Sequence, residues 1–168
     1  MRLHAILAAT VAVLCAGPSP AQPVARQWAA TLPKQGDAVL SYALPNARAL
    51  TLGYSCAKRS GQIQIIAATA TRIVEPVDPE APPAPPTPVS RPATIIVTSE
   101  AAAAALPGRI MPQGDQQGSL MVTEISTASP VVALFRKNGL LRVGAMGASV
   151  DAPAVPKQLL RAFLKYCR

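Results

Sequence analysis

Two cysteines and a short ladder of cations are the residues best placed to do chemistry. Cys56 ends the run "LTLGYSC" and Cys167 lies in the closing "FLKYCR". A free thiolate would be a nucleophile or a metal ligand, whereas two thiols in an oxidising compartment form a disulfide. Lys157, Arg161 and Lys165 recur every four residues, a spacing that stacks them on one helix face. Lys58 and Arg59 follow the first cysteine and Arg168 follows the second. Together these cations would attract phosphate, carboxylate or sulfate groups.

The first residues, "MRLHAILAATVAVLCAGPSPAQP", decide which of these chemistries is open. Arg2 and His4 make a basic start, Ala5 to Ala16 is an apolar run, and Gly17 to Ala21 is small and helix-breaking. This order predicts a secretory signal peptide over residues 1–21, cut after Ala21. At about 1.5 Å per residue the run is too short for a lasting span of a bilayer roughly 30 Å thick, so no transmembrane segment is expected after cleavage. Cys15 does not fit a lipidation signal, because Leu14 is bulky where that signal takes a small residue.

Cleavage removes Cys15 and also His4, the chain's one histidine. The exported chain then cannot build a Ser-His-Asp site, a Cys-His site or a histidine metal site. Two remaining cysteines are too few for a zinc site, so Cys56 and Cys167 are expected to pair. Neither metal nor cofactor is expected. The acids Asp37, Glu100, Asp115, Glu124 and Asp151 are scattered, and Glu75, Asp78 and Glu80 sit among prolines. Lys58 and Ser60 are close in sequence, but a turn accounts for both. The net charge of +8 falls by one with Arg2. Aromatics make up only 4% of the chain, which leaves no stacking platform for nucleic acid, and none is expected as partner.

The elements that position these residues read mainly as strands. In "ARALTLGYSC" Leu50, Leu52, Tyr54 and Cys56 share one face, and "QIQIIAATATRI" alternates again after the turn "AKRSGQ". Residues 48–72 therefore read as an antiparallel hairpin, preceded by a strand in "AVLSYAL". Residues 75–93, "EPVDPEAPPAPPTPVSRPA", read as a solvated polyproline-like loop or spacer. Pro82–Pro85 and Pro85–Pro88 have the spacing of a ligand for proline-binding domains, but such readers are mainly intracellular.

After the spacer, "TIIVTSE", "SLMVTEI" and "LLRVGA" are strands. "AAAAALPGRI" is composed like a helix, yet Pro107 and Gly108 would cut a helix short and its flanks are strand-like, so it reads as a strand, and "MPQGDQQGS" reads as a loop. "SPVVALFRKNG" reads as a helix over 130–137, capped by Ser129 and stopped by Gly139, with a hairpin at Asn138-Gly139 as the alternative. The last helix spans 156–167. Leu159, Leu160, Phe163, Leu164 and Cys167 form its apolar stripe, opposite Lys157, Arg161 and Lys165.

Three stretches together, "LSYALPNARALTLGYSCAKRSGQIQI", "SPVVALFRKNGLLRVGA" and "LLRAFLKYC", resemble small exported single-disulfide proteins of proteobacteria. More distantly the pattern is similar to the invasion-associated locus B family. The resemblance implies a compact antiparallel β-domain with helical decoration in the bacterial periplasm. This chain departs from the family pattern by its proline insertion and its single cysteine pair. Neither a role in host-cell entry nor any family site residue carries over.

The expected fold is thus mainly β, an antiparallel β-sandwich or partly open barrel with a short helix near 130–137 and a C-terminal helix near 156–167. One exported domain, 22–168, is expected in the periplasm, with secretion as the alternative. Its expected role is non-enzymatic binding or structure. The contact surface would be Lys58, Arg59, Lys157, Arg161, Lys165 and Arg168, and the partner an anionic envelope surface such as lipopolysaccharide, anionic lipid or acidic polymer. The competing expectation is an envelope hydrolase with a histidine-free site of scattered acids or a Ser/Lys pair.

Overall fold

The computed structural model describes residues 25–45, 50–73, 90–113 and 118–168. Alternation sets the pattern of the first strands. β1 (Gln27–Thr31), β2 (Asp37–Ala43), β3 (Leu50–Ala57) and β4 (Gln62–Thr69) form an antiparallel meander. Leu40 faces Tyr54, and Tyr54 faces Ile65, so one face of each strand feeds a common core.

The chain then crosses to β5 (Arg91–Ser99) and returns through β6 (Ala102–Pro112) and β7 (Ser119–Ser126). β7 pairs with β4 over its full length, from Gln62↔Ser126 to Thr69↔Ser119. After α1 (Pro130–Asn138), β8 (Arg142–Ala145) pairs with the far side of β5, and β9 (Ala148–Val150) pairs with β8. α2 (Lys157–Cys167) follows. The sheet order is β1-β2-β3-β4-β7-β6-β5-β8-β9, antiparallel throughout and curled into a half-barrel. The fold is therefore mainly β, and of the two expected architectures it is the partly open barrel.

The helices fill the hollow of the curl. α1 packs on β5 and β6, α2 packs on β1, β2 and β3, and the two helices touch. Leu40, Leu52, Ile63, Ile65, Ile95, Val97 and Met121 from the sheet meet Val131, Phe135, Leu160, Phe163 and Leu164 from the helices in one buried cluster. Burying each such side chain stabilises the fold by about 1.5–3 kcal/mol. Tyr54 stands at the centre of an aromatic group. Its ring stacks on Trp28 at 5.9 Å and tilts against Phe135 and Phe163 at 5.2 and 6.5 Å.

α1 is a helix, not a hairpin, because both its ends are satisfied. The Ser129 hydroxyl accepts from the Val131 N–H, and Pro130 opens the first turn. Gly139 adopts φ 76°, and its N–H donates to the Phe135 carbonyl at 2.7 Å. Only glycine takes that left-handed backbone at no steric cost. Asn138 is occupied as well, since its side-chain oxygen accepts from the Leu140 N–H.

Two sequence expectations need correction, and two strands went unread. The proline-rich spacer expected to reach residue 93 stops sooner, because Arg91, Pro92 and Ala93 lie in β5 opposite Ile110, Arg109 and Gly108. β8 covers β5 only at Ile96–Thr98. The strand is thus an edge at Pro92, where a missing N–H is tolerated. The loop expected from Met111 likewise begins later, as Met111 and Pro112 pair with Leu120 and Ser119. Finally, β1 and β9 are strands that alternation over so few residues did not announce. The alanine run does form a strand. Pro107 is accommodated because β7 pairs with β6 only from Gly108 onward, and the Thr123 hydroxyl donates to the Pro107 carbonyl at 2.9 Å. The expected signal peptide at 1–21 and residues 75–89 of the spacer lie outside the described residues.

Candidate functional site

The disulfide Cys56–Cys167 joins the end of β3 to the last turn of α2, with Cα atoms 5.6 Å apart. Both cysteines are buried, as their places on the strand face and the helix stripe predict. The backbone reinforces the junction. The Arg59 N–H donates to the Tyr166 carbonyl at 3.0 Å, and the Gly61 N–H to the Cys167 carbonyl at 2.9 Å. Carbonyls at a helix C-terminus have no partner within the helix. Here the β3–β4 turn supplies two donors.

That turn carries Lys58 and Arg59. It closes with the Ser60 N–H donating to the Ala57 carbonyl at 3.1 Å. Arg59 has φ 58° and Gly61 φ 69°. A positive φ at the third position of a turn is normally given to glycine or asparagine. An arginine there holds an unfavourable backbone, and the turn places that residue beside the last turn of α2. Ser60 is engaged locally, its hydroxyl donating to the Gln62 carbonyl at 3.0 Å. This is the turn role expected of it.

A third wall comes from the β1–β2 connection. The Tyr166 hydroxyl donates to the Gly36 carbonyl at 2.6 Å, and this bond ties that connection to α2. Leu32, Lys58, Arg59, Ala162, Lys165 and Tyr166 together line an open groove of about 390 Å³. Lys58, Arg59 and Lys165 are exposed, and none forms an ion pair with a described residue. The acid nearest in register is Asp37, which faces Ala57 across β2 and β3.

The structure thus divides the six expected contact residues. Lys58, Arg59 and Lys165 share the groove. Lys157 and Arg161 are exposed on the same helix but are not among the groove's lining residues, and Arg168 is exposed just beyond the helix. Lys157 lies two turns before Lys165, about 12 Å along the axis. Sequence reasoning missed Leu32, Ala162 and Tyr166. Tyr166 gave a local signal, an aromatic flanking the buried cysteine. Leu32 gave none, because it reaches the groove through the pairing of β1. Of the scattered acids, Asp151 pairs with Arg142 at 3.0 Å. Among the described residues no three of His, Cys, Asp and Glu gather in a metal-binding group.

Comparison with known protein families, curated proteins and solved structures finds no match.

Proposed function

We propose that this chain is an exported, non-enzymatic envelope protein whose basic surface at the disulfide binds anionic material. The observation that carries the reading is the convergence of Lys58, Arg59 and Lys165 on one groove without ion-pair partners among the described residues. Cations held together unpaired create a local positive potential, which draws anions from solution and is screened by salt. Lys157, Arg161 and Arg168 extend that potential along the exposed side of α2. Export accords with the basic-apolar-small order of residues 1–21 and with a disulfide, since such bonds persist in oxidising compartments.

Cosedimentation tests the reading. Protein starting at Gln22 should pellet with phosphatidylglycerol vesicles or with lipopolysaccharide at low salt, and should be released by several hundred millimolar salt. Phosphatidylcholine vesicles should leave it in solution. Protein that stays soluble with both anionic materials at low salt would refute the proposal.

A further inference from the structure

The groove is not lined by charge alone. Leu32, 41% exposed, the Ala162 methyl and the Tyr166 ring are apolar. Lys58, Arg59 and Lys165 are the cations beside them. A volume of about 390 Å³ lies within the range of small-ligand sites. A purely anionic partner would leave the apolar lining wet, and a purely apolar one would leave three cations unpaired. A molecule with an acidic head and an aliphatic body satisfies both parts.

One effect opposes an anion at this place. A helix C-terminus carries partial negative charge, equivalent to about half an electron. In this fold the Tyr166 and Cys167 carbonyls are bonded to the Arg59 and Gly61 N–H groups, and three full cations line the groove. Positive charge therefore dominates the groove, with Asp37 as the nearest opposing acid in register.

We infer that the groove seats one phosphorylated lipid. Lys58, Arg59 and Lys165 hold the phosphate, and the first methylenes of the chain lie on Leu32, Ala162 and the Tyr166 ring. This inference rests on the anionic-surface reading above and adds a single saturable site to it.

The test uses monomeric decyl phosphate below its micelle concentration, followed by calorimetry and by amide shifts of residues 58–61 and 162–167. Binding should saturate at one per chain. Decyl glucoside and inorganic phosphate should each bind at least about tenfold more weakly. Lys58→Gln with Arg59→Gln should weaken decyl phosphate about tenfold or more, and so should Ala162→Glu, which places an acid on the apolar lining. Lys157→Gln with Arg161→Gln should change it less than twofold. Denaturation midpoints confirm that each variant is folded.

Equal binding of inorganic phosphate, equal binding of decyl glucoside, or equal losses in the two cation pairs would overturn the lipid site. If wild-type protein pellets with anionic vesicles yet shows no saturable decyl phosphate site, the groove inference fails and the surface reading stands. If it pellets with no anionic material, the surface reading fails first.

Discussion

The indole N–H of Trp28 donates to the carbonyl of Pro153 at 2.9 Å, across 125 residues of chain. Trp28 belongs to β1, the first strand in the sheet order, and Pro153 follows β9, the last. One hydrogen bond therefore links the first edge strand to the segment that leads from the last strand into α2. The same indole stacks on Tyr54, so the link is anchored in the core.

Trp28→Phe keeps most of the ring contact and removes the donor. We expect it to lower stability by about 1 kcal/mol, the net value of such a bond. Urea unfolding followed by circular dichroism reads the change. An unaltered midpoint would mean that packing alone holds Trp28 to the segment after β9.

Changing Cys56 and Cys167 together to serine should lower the denaturation midpoint and make α2 the first site of proteolysis. A closed loop of 111 residues contributes up to roughly 4.7 kcal/mol in the chain-entropy treatment. Burial of Leu160, Phe163 and Leu164 remains after the change, so α2 is weakened without being released outright. The unreduced wild-type protein should show no free thiol at Cys56 or Cys167. Two reactive thiols per mature chain would contradict the pairing.

Arg59→Gly separates stability from binding. Glycine adopts the φ of 58° freely, whereas a left-handed backbone costs other residues about 1 kcal/mol or more. We expect the variant to unfold at a slightly higher denaturant concentration while binding anionic vesicles less. Loss of stability would show that the arginine side chain holds the turn.

Burial pushes the Tyr54 phenol well above its ordinary value of 10.0. Below that pH both folded and unfolded states keep the proton, and stability is unaffected by this group. Above it the unfolded chain releases the proton while the folded chain retains it. Stability then falls with rising pH, by at most about 1.4 kcal/mol per pH unit. Tyr54→Phe should remove this component, so the difference in stability between variant and wild type should turn in favour of the variant between pH 10 and 12. A difference that is flat with pH would show that Tyr54 ionises in the folded state.

Deleting residues 77–88 should leave the melting temperature within a few degrees. β4 and β5 are separated only by β7 and β6, three strand spacings or about 14 Å. The nine residues left between Thr69 and Arg91 reach about 30 Å when extended. A cooperative loss of several kcal/mol would show that the deleted residues pack against the sheet.

The parts legible in the sequence are those fixed by neighbours along the chain. Alternation marked β3 and β4, Ser129 and Gly139 bounded α1, and the stripe through Phe163 and Cys167 oriented α2. The cations were legible as a helix face, and the cysteine pairing correctly brought Lys58 and Arg59 to its end. What stayed hidden is set by distant pairing. Nothing local indicates that β7 inserts between β4 and β6, or that Leu32 comes to lie beside Lys165. The alanines of β6 were ambiguous because propensity favoured a helix, and their place beside β5 decided otherwise.

The placing of the disulfide also fixes an order of events. Cys56 is made 111 residues before its partner. The β1–β4 meander can pair while the Cys56 thiol waits, but β4 has no outer neighbour until β7 has been synthesised. Oxidation of this pair therefore comes only after every strand exists, and the bond acts as a record of completion. A chain truncated anywhere before α2 keeps Cys56 unpaired, and that exposed thiol distinguishes it from the finished protein.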